Sequence, residues 1–104
     1  MNRVTVELWL WLGEDLKGHF ESPSETRSVR EEHVKEGTIV RELLCDLASR
    51  YEPIEKQVFD IRKRMLRPGL TATYNQRVIP PDEFYEQVLR NGDKITIFQM
   101  YTGG

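Results

Sequence analysis

A single cysteine, Cys45, is present in the sequence. One thiol cannot close an internal disulfide, nor can it supply the several cysteines that an iron–sulfur cluster or a zinc knuckle needs within one chain. A reducing, cytoplasmic setting is therefore expected. Long apolar runs are also missing: 31% of the residues are charged and the mean hydropathy is -0.57, so no stretch reads as a membrane span. The apolar stretch from Val4 to Leu12 is broken by Glu7 and followed by Gly13-Glu14-Asp15, which is not the layout of a secretory leader. Charge bias is weak as well. With 15 basic and 17 acidic side chains the net charge is -2, and the electrostatic footprint of a nucleic-acid binder is lacking. The two histidines, His19 and His33, stand at no spacing that would build a metal or catalytic site with Glu31, Glu32 or Glu36, so surface or structural roles are expected for both. No glycine-rich phosphate loop and no Ser–His–Asp order occurs, and the body of the chain reads as non-catalytic.

What remains is enough for one core. The 104 residues are 38% hydrophobic and 10% aromatic, too rich for a disordered segment. Charge is unevenly placed: residues 1–60 carry 8 basic and 13 acidic side chains, residues 61–104 carry 7 and 4, and much of the difference lies in Arg62-Lys63-Arg64-Met65-Leu66-Arg67. That run reads as a solvated surface or as a face toward an acidic partner.

Residues Arg3 to Leu12 alternate with period two, which places Val4, Val6, Leu8, Leu10 and Leu12 on one side and Thr5, Glu7, Trp9 and Trp11 on the other. A strand with a core side is predicted. Gly13 to Ser24 reads as a loop with a helical turn that tucks Leu16 and Phe20 inward, and Thr26 to Val34 as a second, more polar strand. Apolar positions 39, 40, 43, 44, 47, 48 and 51 follow the helical rhythm, with Thr38 as the expected N-cap. On that helix Cys45 falls nearly opposite the apolar stripe and is expected exposed, which argues against a catalytic thiol. Pro53 should end or bend the helix, and Ile54 to Met65 reads as a looser helical or irregular stretch. A hairpin is predicted from Leu70–Tyr74 and Arg77–Ile79 around Asn75-Gln76. Asp82 should cap a short helix through Leu89, and Lys94 to Met100 should form the last strand after the turn Asn91-Gly92-Asp93.

Three passages carry a resemblance. Glu36-Gly37-Thr38-Ile39-Val40-Arg41-Glu42-Leu43-Leu44 leads into the main helix, Asn91-Gly92-Asp93-Lys94-Ile95-Thr96-Ile97 leads into the last strand, and Gly103-Gly104 closes the sequence. In this order of elements the chain resembles the β-grasp, ubiquitin-like sulfur carriers of the MoaD/ThiS type. The stretch from Tyr51 through Arg77, with Phe59-Asp60 and Leu66-Arg67-Pro68, is most similar to the small subunit of molybdopterin synthase. Gln76 departs from the glycine that the family often has after the turn asparagine.

The resemblance implies an α+β fold, a mixed sheet of four to five strands with one main helix on one face. Residues 1–100 would form the domain and residues 101–104 a flexible tail. It implies a carrier that is not itself an enzyme and needs no cofactor, ATP being used by an adenylating, ubiquitin-activating-like partner. Gly104, preceded by Gly103, would be the site of adenylation and then of a thiocarboxylate. A terminal carboxylate with a pKa near roughly 3.5 is ionised at neutral pH and needs no base from this chain to attack phosphorus. Two glycines give a thread that can enter a narrow channel. Further partners would be a sulfur donor protein and the molybdopterin synthase large subunit, with no nucleic acid and no membrane. By strand parity, Trp9, Trp11, Phe98 and Met100 fall on the open face or near the tail, and with Tyr101 and Thr102 they are the expected partner-binding residues. Other readings remain open: a carrier of thiamine or tungsten-cofactor synthesis, a ubiquitin-like modifier joined to lysines, or an interaction module with an idle tail.

Overall fold

A computed structural model describes residues 1–99 of the chain. Ten elements follow in order: β1 (Asn2–Trp9), β2 (Glu21–Ser24), β3 (Arg27–Val34), α1 (Val40–Arg50), α2 (Glu52–Gln57), β4 (Phe59–Asp60), β5 (Met65–Leu66), β6 (Leu70–Tyr74), α3 (Pro81–Glu86) and β7 (Lys94–Gln99). Five strands form one sheet in the order β2-β3-β1-β7-β6. β1 lies at its centre, antiparallel to β3 and parallel to β7, while β6 runs antiparallel to β7. Helix α1 covers one face. Its buried residues Val40, Leu43, Leu44, Leu47 and Ala48 join Val4, Val6 and Leu8 of β1 and Ile95 and Ile97 of β7 in a single core. Each fully buried aliphatic side chain of this kind contributes about 1.5–3 kcal/mol of transfer free energy. None of the helices is long and apolar enough to cross a membrane among the described residues.

Several local expectations are corrected. β1 ends at Trp9, not Leu12, because the chain turns sharply where the Leu12 N–H donates to the Leu10 carbonyl at 2.8 Å. Leu16 and Phe20 are buried as expected. The loop ends, however, in β2, an exposed edge strand with Pro23 that pairs with β3. Thr38 is not the cap of α1: Ile39 occupies that position, its N–H donates to the Glu42 carboxylate at 3.0 Å, and the Thr38 carbonyl accepts from the Leu89 N–H at 2.9 Å. Segment 87–89 thus holds the start of α1. Cys45 is half-buried against the core, since the apolar stripe is wider than the helical wheel alone suggests.

Pro53 sits in the first turn of α2, where its missing N–H costs nothing. Beyond α2 the expected irregular stretch contains a small hairpin instead, with Phe59 opposite Leu66 and Asp60 opposite Met65. Asp60 closes its turn by accepting from the N–H groups of Arg62 and Lys63, at 2.9 and 3.1 Å. Of the basic run, Arg62, Lys63 and Arg64 are exposed, while Arg67 is tied to Glu55 and Asp60. The hairpin around Asn75-Gln76 is reduced to its turn: both residues take positive φ, 50° and 66°, but only a single bridge joins Tyr74 to Arg77, and Val78 stands exposed. Asp82 lies in the first turn of α3 and Pro80 is its N-cap; the helix ends at Glu86, not Leu89.

Candidate functional site

The face of the sheet away from α1 follows from strand parity. On it stand Thr5, Glu7 and Trp9 of β1, Lys94, Thr96 and Phe98 of β7, Thr71 and Thr73 of β6, and Arg27 with Val29 of β3, as the registers Glu7–Thr96, Glu7–Val29, Trp9–Phe98 and Phe98–Thr71 require. At the end of this face, where the last strand finishes, Trp9, Leu10, Trp11, Thr26, Phe98 and Gln99 line one depression. Trp9 and Trp11 are 51% and 69% exposed, and Phe98 is half-buried beside them. The two indole rings and the Phe98 ring thus form one aromatic patch beside the end of the last strand.

Of the residues expected to bind partners, Trp9, Trp11 and Phe98 are brought together here. Met100, Tyr101 and Thr102, together with Gly103 and Gly104, lie outside the described residues.

A second depression, contiguous through Trp9 and Phe98, extends along the centre of the face and is lined also by Glu7, Arg27, Thr73, Gln76, Lys94 and Thr96. Glu7 is a surprise. It occupies a solvent-side position, yet it is 1% exposed, because Arg27 and Lys94 close over it from the neighbouring strands. The Arg27 guanidinium pairs with Glu7 Oε1, and Lys94 Nζ lies 2.6 Å from Glu7 Oε2. Burial alone would push the Glu7 carboxyl up. The hydrogen bonds and charges of Lys94 and Arg27 outweigh it and hold the group below the usual carboxylate range. Arg27 also lies over Trp9, 5.4 Å from the ring centroid. Sequence reading missed this trio. The signal available was a lone carboxylate in the middle of an apolar strand, but the strand order that supplies its two cations is not written locally.

His19 and His33 are both exposed and line neither depression: the ring of His19 lies 5.1 Å from that of Tyr51, and His33, the register partner of Arg3, sits at the other end of this face from Trp9 and Phe98. Among the described residues no group of three or more His, Cys, Asp or Glu side chains could hold a metal ion. On the far side of β6 lies a larger groove of about 690 Å³, walled by the β4–β5 hairpin and α3 and lined in part by Met65, Leu70, Val78 and Phe84. Of the described sequence-expected site residues, Trp9, Trp11 and Phe98, none lines it.

Comparison with known proteins adds the following. The model of the ThiS family matches residues 20–104. Small archaeal modifier protein 1 of Haloferax volcanii superposes with a TM-score of 0.69 at 15% identity, over 97% of this chain and 100% of its own. A Pyrococcus furiosus protein described as molybdopterin converting factor, subunit 1, does so at 0.66 and 17%, over 97% and 100%. Urm1 from Trypanosoma brucei gives 0.69 and 18%, over 99% and 96%. A search of curated protein sequences finds no match. At these identities the structural likeness shows the fold, a β-grasp of ubiquitin-like topology, as the sequence led us to expect.

Proposed function

The chain belongs to the ThiS family, and from that premise we propose that it is a sulfur carrier whose Gly104 carboxylate is adenylated and then converted to a thiocarboxylate. In this reading residues 1–100 are the body and residues 101–104 the tail. The carboxylate attacks the α-phosphorus of ATP and pyrophosphate leaves. The terminal sulfur of a donor protein's persulfide then attacks the acyl carbon and AMP leaves as the C–S bond forms. A thiol next attacks the donor-side sulfur, breaking the S–S bond, so that a disulfide forms on the donor and the thiocarboxylate is released. These steps take place in a partner's active site; this chain supplies the reacting carboxylate and the surface that presents it, and it is not itself an enzyme. The single observation that carries the reading is that the family match extends through Gly103-Gly104. Trp9, Trp11 and Phe98, grouped where β7 ends, support it as the docking patch for the adenylating enzyme.

The receiving pathway we propose is synthesis of the molybdopterin cofactor, with the tail entering a synthase large subunit. Similarity to the Pyrococcus furiosus protein and the pairing of Phe59-Asp60 with Met65-Leu66 in the middle of the chain favour it.

Intact mass after incubation with ATP, the host's adenylating enzyme and a sulfur donor tests the reading. A product heavier by one sulfur-for-oxygen exchange, absent when Gly104 is deleted, is expected. An unchanged mass, with the same enzymes active on another carrier, overturns it in favour of an interaction module. Isopeptide conjugates to lysines with no thiocarboxylate identify a modifier instead.

A further inference from the structure

Charge on the open sheet face is layered. Among the described residues Glu7 is the only acidic one that lines the central depression, and its side chain is 2% exposed, whereas those of Arg27 and Lys94 above it are 40% and 34% exposed. A molecule approaching this face therefore meets two cations and none of the carboxylate that anchors them. Two further acids share this side: Glu31, opposite Thr5, is engaged at 3.1 Å by Arg3, and Glu21, opposite Val29, stands exposed on the edge strand β2. Beside the cations stand the two aromatic rings of the docking patch: Arg27 lies over Trp9, and Phe98 is the register partner of Trp9 on β7.

A buried carboxylate is an expensive way to fill this position. Desolvating it with its two partners costs more than placing a valine or leucine there, and an apolar residue would simply enlarge the aromatic patch. What a carboxylate adds is direction. Its two oxygens face different strands, one toward β3 and one toward β7, and each holds a long, rotamer-rich cation in a single place. Prepaid ordering of this kind lowers the entropy cost of binding for each side chain held in place.

We propose that Glu7 is a positioning residue that fixes Arg27 across Trp9 and Lys94 alongside, so that this face docks an acidic patch with apolar neighbours on the adenylating partner. The proposal rests on the carrier reading given above. Carboxylates of the partner meet Arg27 and Lys94 while its apolar groups cover Trp9 and Phe98. Attraction to a surface of opposite charge speeds encounter and weakens with added salt.

The test is the initial rate of pyrophosphate release by the host's adenylating enzyme, with this protein as varied substrate, at low and at high salt. Three forms are compared: wild type, Glu7→Gln, and a triple variant in which Glu7, Arg27 and Lys94 are all glutamine. The triple variant strands no buried charge, and a thermal melt confirms that it folds. It is expected to raise KM at least tenfold at low salt and to flatten the salt dependence, with kcat at saturation unchanged. Glu7→Gln keeps both cations and adds one net positive charge, so simple attraction would lower its KM. Positioning predicts the opposite, a severalfold rise, together with a change in Trp9 fluorescence in a Trp11→Phe background as Arg27 leaves the ring. An unchanged KM in the triple variant overturns the acidic docking site, and a lowered or unchanged KM in Glu7→Gln overturns the positioning role. If wild type is not adenylated by an enzyme active on another carrier, the carrier reading falls and takes this proposal with it.

Discussion

The Tyr74 hydroxyl donates to the Asp93 carboxylate, tying the end of β6 to the turn that feeds β7. Asp93 is buried and also accepts from Asn75 Nδ2 at 3.0 Å and from the Arg90 N–H at 2.8 Å. Burial, and then the hydrogen bond to Asp93, push the Tyr74 phenol up to about 12. For Asp93, burial acts upward, but the bonds from Tyr74, Asn75 and Arg90 prevail and hold the carboxyl low. Tyr74→Phe should cost about 1–2 kcal/mol, the scale of a hydrogen bond to a charged acceptor. The sign at high pH follows: the folded phenol keeps its proton longer than the unfolded one, near about 10, so wild type loses stability as pH rises from there through about 12. Tyr74→Phe should lose that alkaline component, which chemical denaturation between pH 8 and 12 would reveal.

Acid should act through Glu7. Its carboxyl is held low in the folded protein, so the stability it contributes is present above the unfolded value of about 4.3 and is lost as pH falls through the lower folded one. Glu7→Gln should therefore be less stable than wild type at pH 7 by about 1–3 kcal/mol. The two proteins should converge toward pH 3; a gap that stays constant with pH would contradict this.

Gln76 holds a φ of 66° that a side chain tolerates poorly. Glycine at this position removes a strain on the order of 1 kcal/mol, less the extra entropy glycine loses on folding. Gln76→Gly is expected to raise Tm by a few degrees. A fall in Tm would mean that the Gln76 side chain, which lines the open-face depression, contributes more than its backbone costs.

Phe59 is fully buried in β4, and its ring helps to join the small hairpin to the core. Truncation to alanine should destabilise the protein by about 3–5 kcal/mol. Urea denaturation would show this as a lower midpoint at unchanged slope.

Trp9→Ala together with Phe98→Ala should leave the thermal melt close to wild type, since Trp9 is half exposed and Phe98 only half buried. Adenylation should weaken sharply, because two central aromatic anchors are each worth about 2 kcal/mol or more at an interface. Unchanged adenylation kinetics would remove this patch from the docking surface.

How far the sequence could be read depends on how local each determinant is. The period-two run of β1 and the stripe of α1 are local patterns, and both elements were legible together with the Leu16 and Phe20 contacts. The parity of β1 and β7 was enough to group Trp9 with Phe98, whereas Trp11 joins them from beyond the end of β1, through the turn at Leu10–Leu12. Burial of Glu7 was not legible, because it depends on Arg27 and Lys94 arriving from strands paired through long-range register. The β4–β5 hairpin escaped for a similar reason: two-residue strands leave no periodicity, and its turn is held by Asp60 and by Arg64 at a φ of 56°. Val78 and Ile79 have the composition of a strand but find no partner beyond the Tyr74–Arg77 bridge, so propensity yielded to topology.

Because β1 is the central strand and its parallel neighbour is β7, the sheet is closed by residues as distant as Arg3 and Asn91, whose contact at 2.8 Å spans 88 positions. Such a fold cannot be completed while the chain is still being synthesised up to α3: β1 waits with one edge unpaired, and the core has no wall until β7 is released. Folding is thereby made contingent on translation past β7. A truncated product ending before β7 would be unfolded and open to degradation, so the cell's stock of folded protein is screened for chains that carry the strand leading to Gly103-Gly104.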